Sequence, residues 1–321
     1  MIVRNQNLQE ARSAIRSIED RFNKGAHYPW VLLNNQDFTH AFRKYITKAT
    51  DAPIYFGKID LESWDYPSWI DVPVAEENML NMWGGNIYKG NSLSYRQLLR
   101  YQAGLFVHHP LFNNVDYVWR VEPDSQYTCD MSYDPFKHMM QHNKTLGFAI
   151  SMHEFSGTIN NLWQDTVEFM VDHEEYIKPD NETIMPWILD ENDDYNLCHI
   201  WTNFEIVKTS FLKSKAYQSY FEFLDRRGGF FYERWGDAPV RTLAAAMFLP
   251  RDQLMYFDRI GYEHSVASHC PVKAEYMQKC SCDMMENFDF NGNSCTVDLL
   301  KYIDKAALQD LAAFAEAQMM E

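Results

Sequence analysis

The sequence predicts an α/β fold, a sheet flanked by helices, with a nucleotide-binding amino-terminal half. Three observations carry that expectation. Between Arg4 and Ile59, apolar runs rich in β-branched and aromatic residues alternate with stretches of helical periodicity. The run Tyr117-Val118-Trp119-Arg120-Val121 reads as a strand, interrupted by Arg120 and halted by Glu122-Pro123-Asp124. Proline offers no N–H to a ladder and holds the residue before it extended. Hydrophobic residues make up 46% of the 321, enough for a packed core rather than a disordered chain.

Met1 to Arg4 reads as the end of a strand. Leu8, Ala11, Ile15, Ile18 and Phe22 recur at helical spacing and predict an amphipathic helix. Trp30 to Leu33 is the apolar run of a second strand, and Phe38, Phe42, Tyr45 and Ile46 mark one face of a short helix. Ala52 to Ile59 is a third strand. Residues 62–87 look irregular apart from a helix around Ala75 to Met82. Ser92 or Ser94 then caps a helix carrying Tyr95, Leu98, Leu99 and Gln102 on helical spacing. Further along, Tyr133 to Asn143 reads as a short helix, Thr145 to His153 as one strand, and the acidic stretch Asp190 to Asp194 as a surface loop. Cys198 to Trp201 reads as a short strand. Phe211 to Leu224 is predicted helical, with Gly228-Gly229 as its stop. The last clear helix runs from Pro239 to Phe248. No repeat, low-complexity segment or linker interrupts the chain, so a single domain is expected.

A net charge of −16, from 45 acidic and 29 basic residues, argues against nucleic acid or an anionic membrane as the main partner. It leaves room for a phosphorylated small molecule, whose diphosphate would need a metal ion or local arginines beside so many acids. No apolar stretch reaches the ~18 residues of a membrane span, and Met1-Ile2-Val3-Arg4-Asn5 does not read as a signal peptide. Of the six cysteines, Cys129, Cys198, Cys270, Cys280, Cys282 and Cys295, four crowd into the last quarter. Disulfides in an oxidising compartment are the favoured reading. A zinc site with His269 is the alternative, but C-x-C lacks the usual ligand spacing. Asn143 and Asn181 begin N-glycosylation sequons, a motif that arises easily by chance.

Four places carry candidate chemistry. Glu122 and Asp124 sit at the carboxyl end of a strand, where open α/β sheets bind ligands, and two hard oxygen donors suit a divalent cation carrying phosphates. A turn with solvated acids is the bland alternative. Glu205 stands alone among apolar neighbours in Asn203-Phe204-Glu205-Ile206, either a hydrogen-bonded core carboxylate or a catalytic one. Asp237 precedes Pro239 at an ordinary helix start, yet its neighbours Tyr232, Arg234 and Trp235 are the types that hold sugars and nucleotides. His264, near His269, is either structural or, with the carboxylates, a ligand acceptable to Mn²⁺.

Taken in order, HYPWVLLN, SYRQLLRY, YVWRVEPD, YNLCHIWTNFEI, GGFFYERWGDAPV, GYEH, HCP, KCSC and FDFNGNSCT closely resemble the fungal Kre2/Mnt1-type α-1,2-mannosyltransferases, glycosyltransferase family fifteen. The resemblance covers nearly the whole chain. It implies a GT-A-type fold with a mixed central sheet flanked by helices, the nucleotide-binding half at about 1–130 and the acceptor and catalytic half at about 131–321. It also implies Mn²⁺-dependent transfer of mannose from GDP-mannose to the 2-hydroxyl of an α-mannoside on N- or O-linked glycans, with retention of configuration. Carried onto this sequence, Glu122 and Asp124 become the metal and diphosphate site, and His264 a further metal ligand. Glu205 becomes the ionised nucleophile or transition-state stabiliser, Asp237 and Tyr95 lie near the transferred sugar, and Arg4 lies beside the nucleotide. The rivals are a related Mn-dependent transferase of another sugar or linkage, and an inactive relative acting as a binding protein. Family members are anchored in the Golgi membrane and face its lumen. The resemblance places Met1 inside their first strand, so that anchor, stem and part of that strand are expected to lie outside this chain. The stretch GYEHSVASHCP, Gly261 to Pro271, departs from the prolines and aromatic residue expected after the histidine, a difference that bears on acceptor choice.

Overall fold

A computed structural model describes residues 1–277 and 279–319. Eleven strands appear in chain order: β1 Trp30–Asn34, β2 Ile54–Lys58, β3 Tyr117–Arg120, β4 Gln126–Tyr127, β5 Leu146–Phe148, β6 Ser151–His153, β7 Cys198–Ile200, β8 Glu205–Lys208, β9 Leu254–Tyr256, β10 Tyr262–His264 and β11 Ala267–His269. The largest sheet has the order β3-β8-β5-β9 and is mixed, since β8 runs antiparallel to β3 and β5 while β5 and β9 are parallel. β1 and β2 pair in parallel, and Met1 to Val3 adds to the other edge of β1. There Val3 N–H bonds Leu33 O at 2.9 Å and Leu33 N–H bonds Met1 O at 3.0 Å. Beyond Met1, an apolar groove lined by Trp30, Val31, Val118 and Trp119 separates β1 from β3. A smaller antiparallel sheet, β11-β10-β4, carries His264 back beside the turn that follows β3.

Local sequence explains most of these elements. The first helix, Leu8–Ile18, buries Ala11, Ala14, Ile15 and Ile18, the predicted face. It then widens over Glu19–Asn23, where buried Glu19 accepts bonds from Asn23 Nδ2 at 2.7 Å and Trp30 Nε1 at 2.8 Å. Ser92 caps the helix Leu93–Arg100 by accepting from the Tyr95 N–H. Helix Asp237–Phe248 is apolar on nearly every side and is buried from Val240 to Phe248, as an all-round apolar helix must be.

Two elements differ from expectation. The strand predicted over Thr145 to His153 is divided. Its first half, β5, joins the large sheet, and after Ala149-Ile150 its second half, β6, turns to pair with β7. The helix predicted from Phe211 to Leu224 is two helices, Thr209–Leu212 and Lys215–Arg227, because Ser214 adopts extended geometry and caps the second through the Tyr217 N–H. That second helix ends at Gly228, whose φ of 77° is the left-handed stop the glycine pair foretold. All six cysteines are bridged, as Cys129–Cys280, Cys198–Cys295 and Cys270–Cys282. The tail is therefore tied to both halves of the body. Among the described residues no helix is long and apolar enough to cross a membrane.

Candidate active site

The antiparallel register of β3 and β8 sets Arg120 opposite Glu205. It places a cation at the carboxyl end of one strand across from an acid at the start of its neighbour. Arg120 is the hub. Its Nε donates to Glu122 Oε1 at 2.6 Å, and its Nη1 donates to Thr202 Oγ1 at 3.0 Å and to Asp237 Oδ2. Thr202 Oγ1 also donates to Asp237, at 2.7 Å. Burial works against the charge on Arg120, but Asp237 and Glu122 overcome it and hold the guanidinium firmly protonated.

Glu205 is 1% exposed. Arg241, one helical turn after Asp237 and on the same face, brings its Nε to 3.1 Å from Glu205 Oε1. At that distance Glu205 Oε1 is ion-paired with Arg241 and shut off from solvent. Burial raises the Glu205 pKa, and Arg241 and Arg120 oppose the rise. The carboxylate is thus desolvated and flanked by two cations.

Asp124 and His264 meet 2.8 Å apart, Oδ1 to Nε2, with Asp124 largely exposed and His264 tucked against the Trp201 ring at 5.3 Å between centroids. The other imidazole nitrogen, Nδ1, lies 2.8 Å from the Asn203 side-chain amide. An oxygen and a nitrogen at that separation fit one edge of a cation's coordination sphere, and the donor types suit Mn²⁺. Turning the Asn203 amide would let its oxygen accept from Nδ1–H, the outer support that histidine ligands use. Glu122 does not join this pair. Its carboxylate faces Arg120, and the three residues do not bring ligand atoms within 4.8 Å of one another. The groups that do converge, Cys129–Cys280–Cys282 and His153–Cys198–Cys295, have their sulfurs in disulfides. The zinc reading of the tail therefore falls, and His269 bonds Asp289 instead.

Tyr95 lies in the same cleft. Burial pushes its hydroxyl up to about 12, with Arg234 opposing and Asp237 and Glu154 adding to the rise. Of the Asp237 neighbours, Tyr232 and Trp235 turn inward, Tyr232 accepting from the Asp71 N–H and Trp235 donating to Glu233. Arg234, buried as well, lies over the Tyr95 ring at 5.8 Å. Arg4 is exposed, just past the Val3–Leu33 bond at the carboxyl end of β1, and its side chain holds no hydrogen bond or ion pair among those described. Sequence reasoning overlooked Arg120, Thr202, Asn203 and Arg241 as site residues. The available signals were an arginine inside an apolar strand and a lone arginine in an apolar helix four residues after Asp237.

A mixed sheet flanked by helices, with acids gathered at its strand ends, fits the GT-A class, and solved structures agree. Core-mannan synthase A from Aspergillus fumigatus, in an Mn/GDP form, superposes with a TM-score of 0.89 at 33% identity, over 94% of this chain and 83% of that one. The mannosyltransferase Ktr4p from Saccharomyces cerevisiae in complex with GDP gives 0.91 at 32% identity, over 96% and 82%. The chain belongs to the glycolipid 2-alpha-mannosyltransferase family, whose model matches residues 1–305. It is 45% identical over 311 residues to glycolipid 2-alpha-mannosyltransferase 2 of Candida albicans, covering 96% of this chain. It is 44% identical over 297 residues to glycolipid 2-alpha-mannosyltransferase of Saccharomyces cerevisiae, covering 92%. It spans 66% of the length of each of these two relatives.

Proposed function

We propose that this chain is the catalytic part of a retaining α-1,2-mannosyltransferase, a single GT-A domain that moves mannose from GDP-mannose to the 2-hydroxyl of an α-mannoside on a protein-linked glycan. The observation that carries the reading is Glu205, a buried carboxylate opposite Arg120 and paired with Arg241. A carboxylate so placed stabilises the positive charge that develops at the anomeric carbon as GDP departs. Asp124 and His264 would hold Mn²⁺, with Glu122 contributing once its carboxylate turns from Arg120. The metal would supply Lewis acidity and offset the diphosphate charge. Arg120 is committed to Asp237 and Glu122, so this local arginine is not free to do so alone. Asp237 fixes Arg120 and Thr202 at the reacting edge, Tyr95 presents a neutral hydroxyl to the sugar, and Arg4 reaches the nucleotide from the end of β1. Three disulfides suit the oxidising Golgi lumen, where we place the protein.

The test is GDP release from GDP-mannose with methyl α-mannoside, in Mn²⁺ and then in chelator. Acceptor-dependent release that chelator abolishes, with a 1,2-linked product, is the expected result. Folded protein that binds GDP but transfers nothing would favour the inactive-relative reading. Glu205→Gln should lower turnover by roughly 10²- to 10³-fold, the scale of removing one preorganised charge stabiliser, while GDP affinity stays put. Because burial raises the Glu205 pKa, protonation removes the needed carboxylate as pH falls. The acid limb of the rate profile should therefore sit above the ordinary glutamate range, and full activity at pH values where a normal glutamate is half protonated would count against Glu205.

A further inference from the structure

The cleft has a built rim on the side of Tyr95 away from Glu205. After helix Val72–Gly84 the chain passes through Asn86 (φ 58°) and Lys89 (φ 52°), both left-handed and neither a glycine. Such backbone persists where surrounding bonds impose it. Here the bonds come from Arg96, which is fully buried. Its Nη1 donates to Gly90 O at 2.8 Å and its Nε to Glu233 O at 2.9 Å, tying the loop to the segment that leads into Asp237. What the loop displays is exposed. The Tyr88 ring is 64% exposed and stands edge-on to Tyr95, 6.4 Å between centroids, with Lys89 Nζ 5.1 Å from the Tyr88 ring and 4.6 Å from the Tyr95 ring. Phe155, 69% exposed, stands on the neighbouring turn. Its turn approaches the loop closely enough that a Cβ on Gly157 would sit 4.0 Å from Ile87. Arg234, 5% exposed, lies beneath, 3.6 Å from Glu154 and 5.8 Å from the Tyr95 ring centroid.

Exposed aromatic rings beside a flexible ammonium are the chemistry that binds a pyranose. The C–H face of the sugar packs on the rings, and its hydroxyls bond the charged group. We infer that Tyr88, Lys89 and Phe155 form a second acceptor subsite, for the sugar on the reducing side of the mannose that receives the transferred unit. The subsite rests on the transferase reading for its role but not for its existence. Its ligand is a neutral α-mannoside of two or more units, and the open side of the rim lets the rest of the glycan leave toward solvent.

The experiment compares methyl α-mannoside with α-1,2-mannobiose as acceptors. The native protein should prefer the disaccharide by about tenfold in kcat/KM, chiefly through KM. Tyr88→Ala should bring the ratio near one, Tyr88→Phe should keep it, and both variants should retain native rates with the monosaccharide. Equal use of both acceptors by the native protein, or an undiminished preference in Tyr88→Ala, overturns the subsite. Saturation-transfer NMR of mannobiose with the GDP- and Mn²⁺-loaded protein reads binding without turnover. Contact at the reducing-end ring that Tyr88→Ala abolishes supports the subsite even if no mannose is transferred, an outcome that would count against the transferase reading alone. Absence of that contact in the native protein overturns the subsite.

Discussion

Two buried clusters of charge sit in this molecule, and they differ in a way that separates a site from a staple. One is Arg120 with Glu122, Thr202 and Asp237, extended by Glu205 and Arg241. The other is His269 on β11, Asp289 in the turn Phe288–Phe290 and Tyr256 on β9, linked by bonds of 2.8 to 3.2 Å. Both are desolvated, and the pKa values of Glu205 in the first and of Tyr256 and His269 in the second are raised. The first has more carboxylates than arginines, sits at strand ends, and adjoins Asp124, whose side chain is 60% exposed. The second matches one imidazole to one carboxylate, with Asp258 adding negative charge nearby, and adjoins the Cys270–Cys282 bridge. Burial and ion pairing are common to both. An exposed carboxylate meeting an imidazole at the edge of the cluster, Asp124 with His264, belongs to the first.

The sharpest way to break that contrast is to remove the hub. Arg120→Leu leaves Glu122 and Asp237 without their counter-ion, and stranding buried charge costs about 3–5 kcal/mol. We expect denaturant unfolding to shift by that amount and transfer to be lost. Stability close to native would mean that the two carboxylates are compensated by other groups. A smaller effect is expected from Asn203→Ala, which removes the support behind His264. Outer-shell losses weaken metal binding roughly 10- to 100-fold. The Mn²⁺ concentration for half-activity should rise by that factor, with metal-free GDP binding unchanged. An unmoved Mn²⁺ midpoint would take His264 out of the ligand set.

How much of this was legible follows from the range of each signal. Glu122-Pro123-Asp124 could be placed at a strand end because β-branched residues, proline and acids act within a few positions. The helix Asp237–Phe248 was legible for the same reason. Arg120 was read as an interruption because its partners come from three distant segments, and the β3–β8 register that sets it opposite Glu205 leaves no periodic trace. Ser214 was a readable cap, hidden inside a convincing apolar run. The division of Thr145 to His153 into β5 and β6 depends on two sheets competing for one strand, a tertiary matter. Disulfides were expected from cysteine crowding, but pairings such as Cys129 with Cys280 depend on the packing of the tail against the body.

The finest test lies in the tail cluster. Burial disfavours a charged His269, but Asp289, through its charge and its hydrogen bond, together with Asp258, overcomes this and raises the pKa above the usual 6.5. A histidine whose folded pKa exceeds its unfolded value stabilises the protein fully below the unfolded value, and that contribution is lost as pH rises through the folded one. Thermal stability should therefore fall on going from below pH 6.5 to above the raised value. The change should be on the order of a few degrees for a chain of this size. His269→Gln should flatten that dependence while leaving mannose transfer at fixed pH unaltered, because no member of this cluster adjoins the Arg120 network. If the variant instead lost transfer while keeping the native dependence of stability on pH, the two clusters would be coupled, and the line drawn here between site and staple would have to be abandoned.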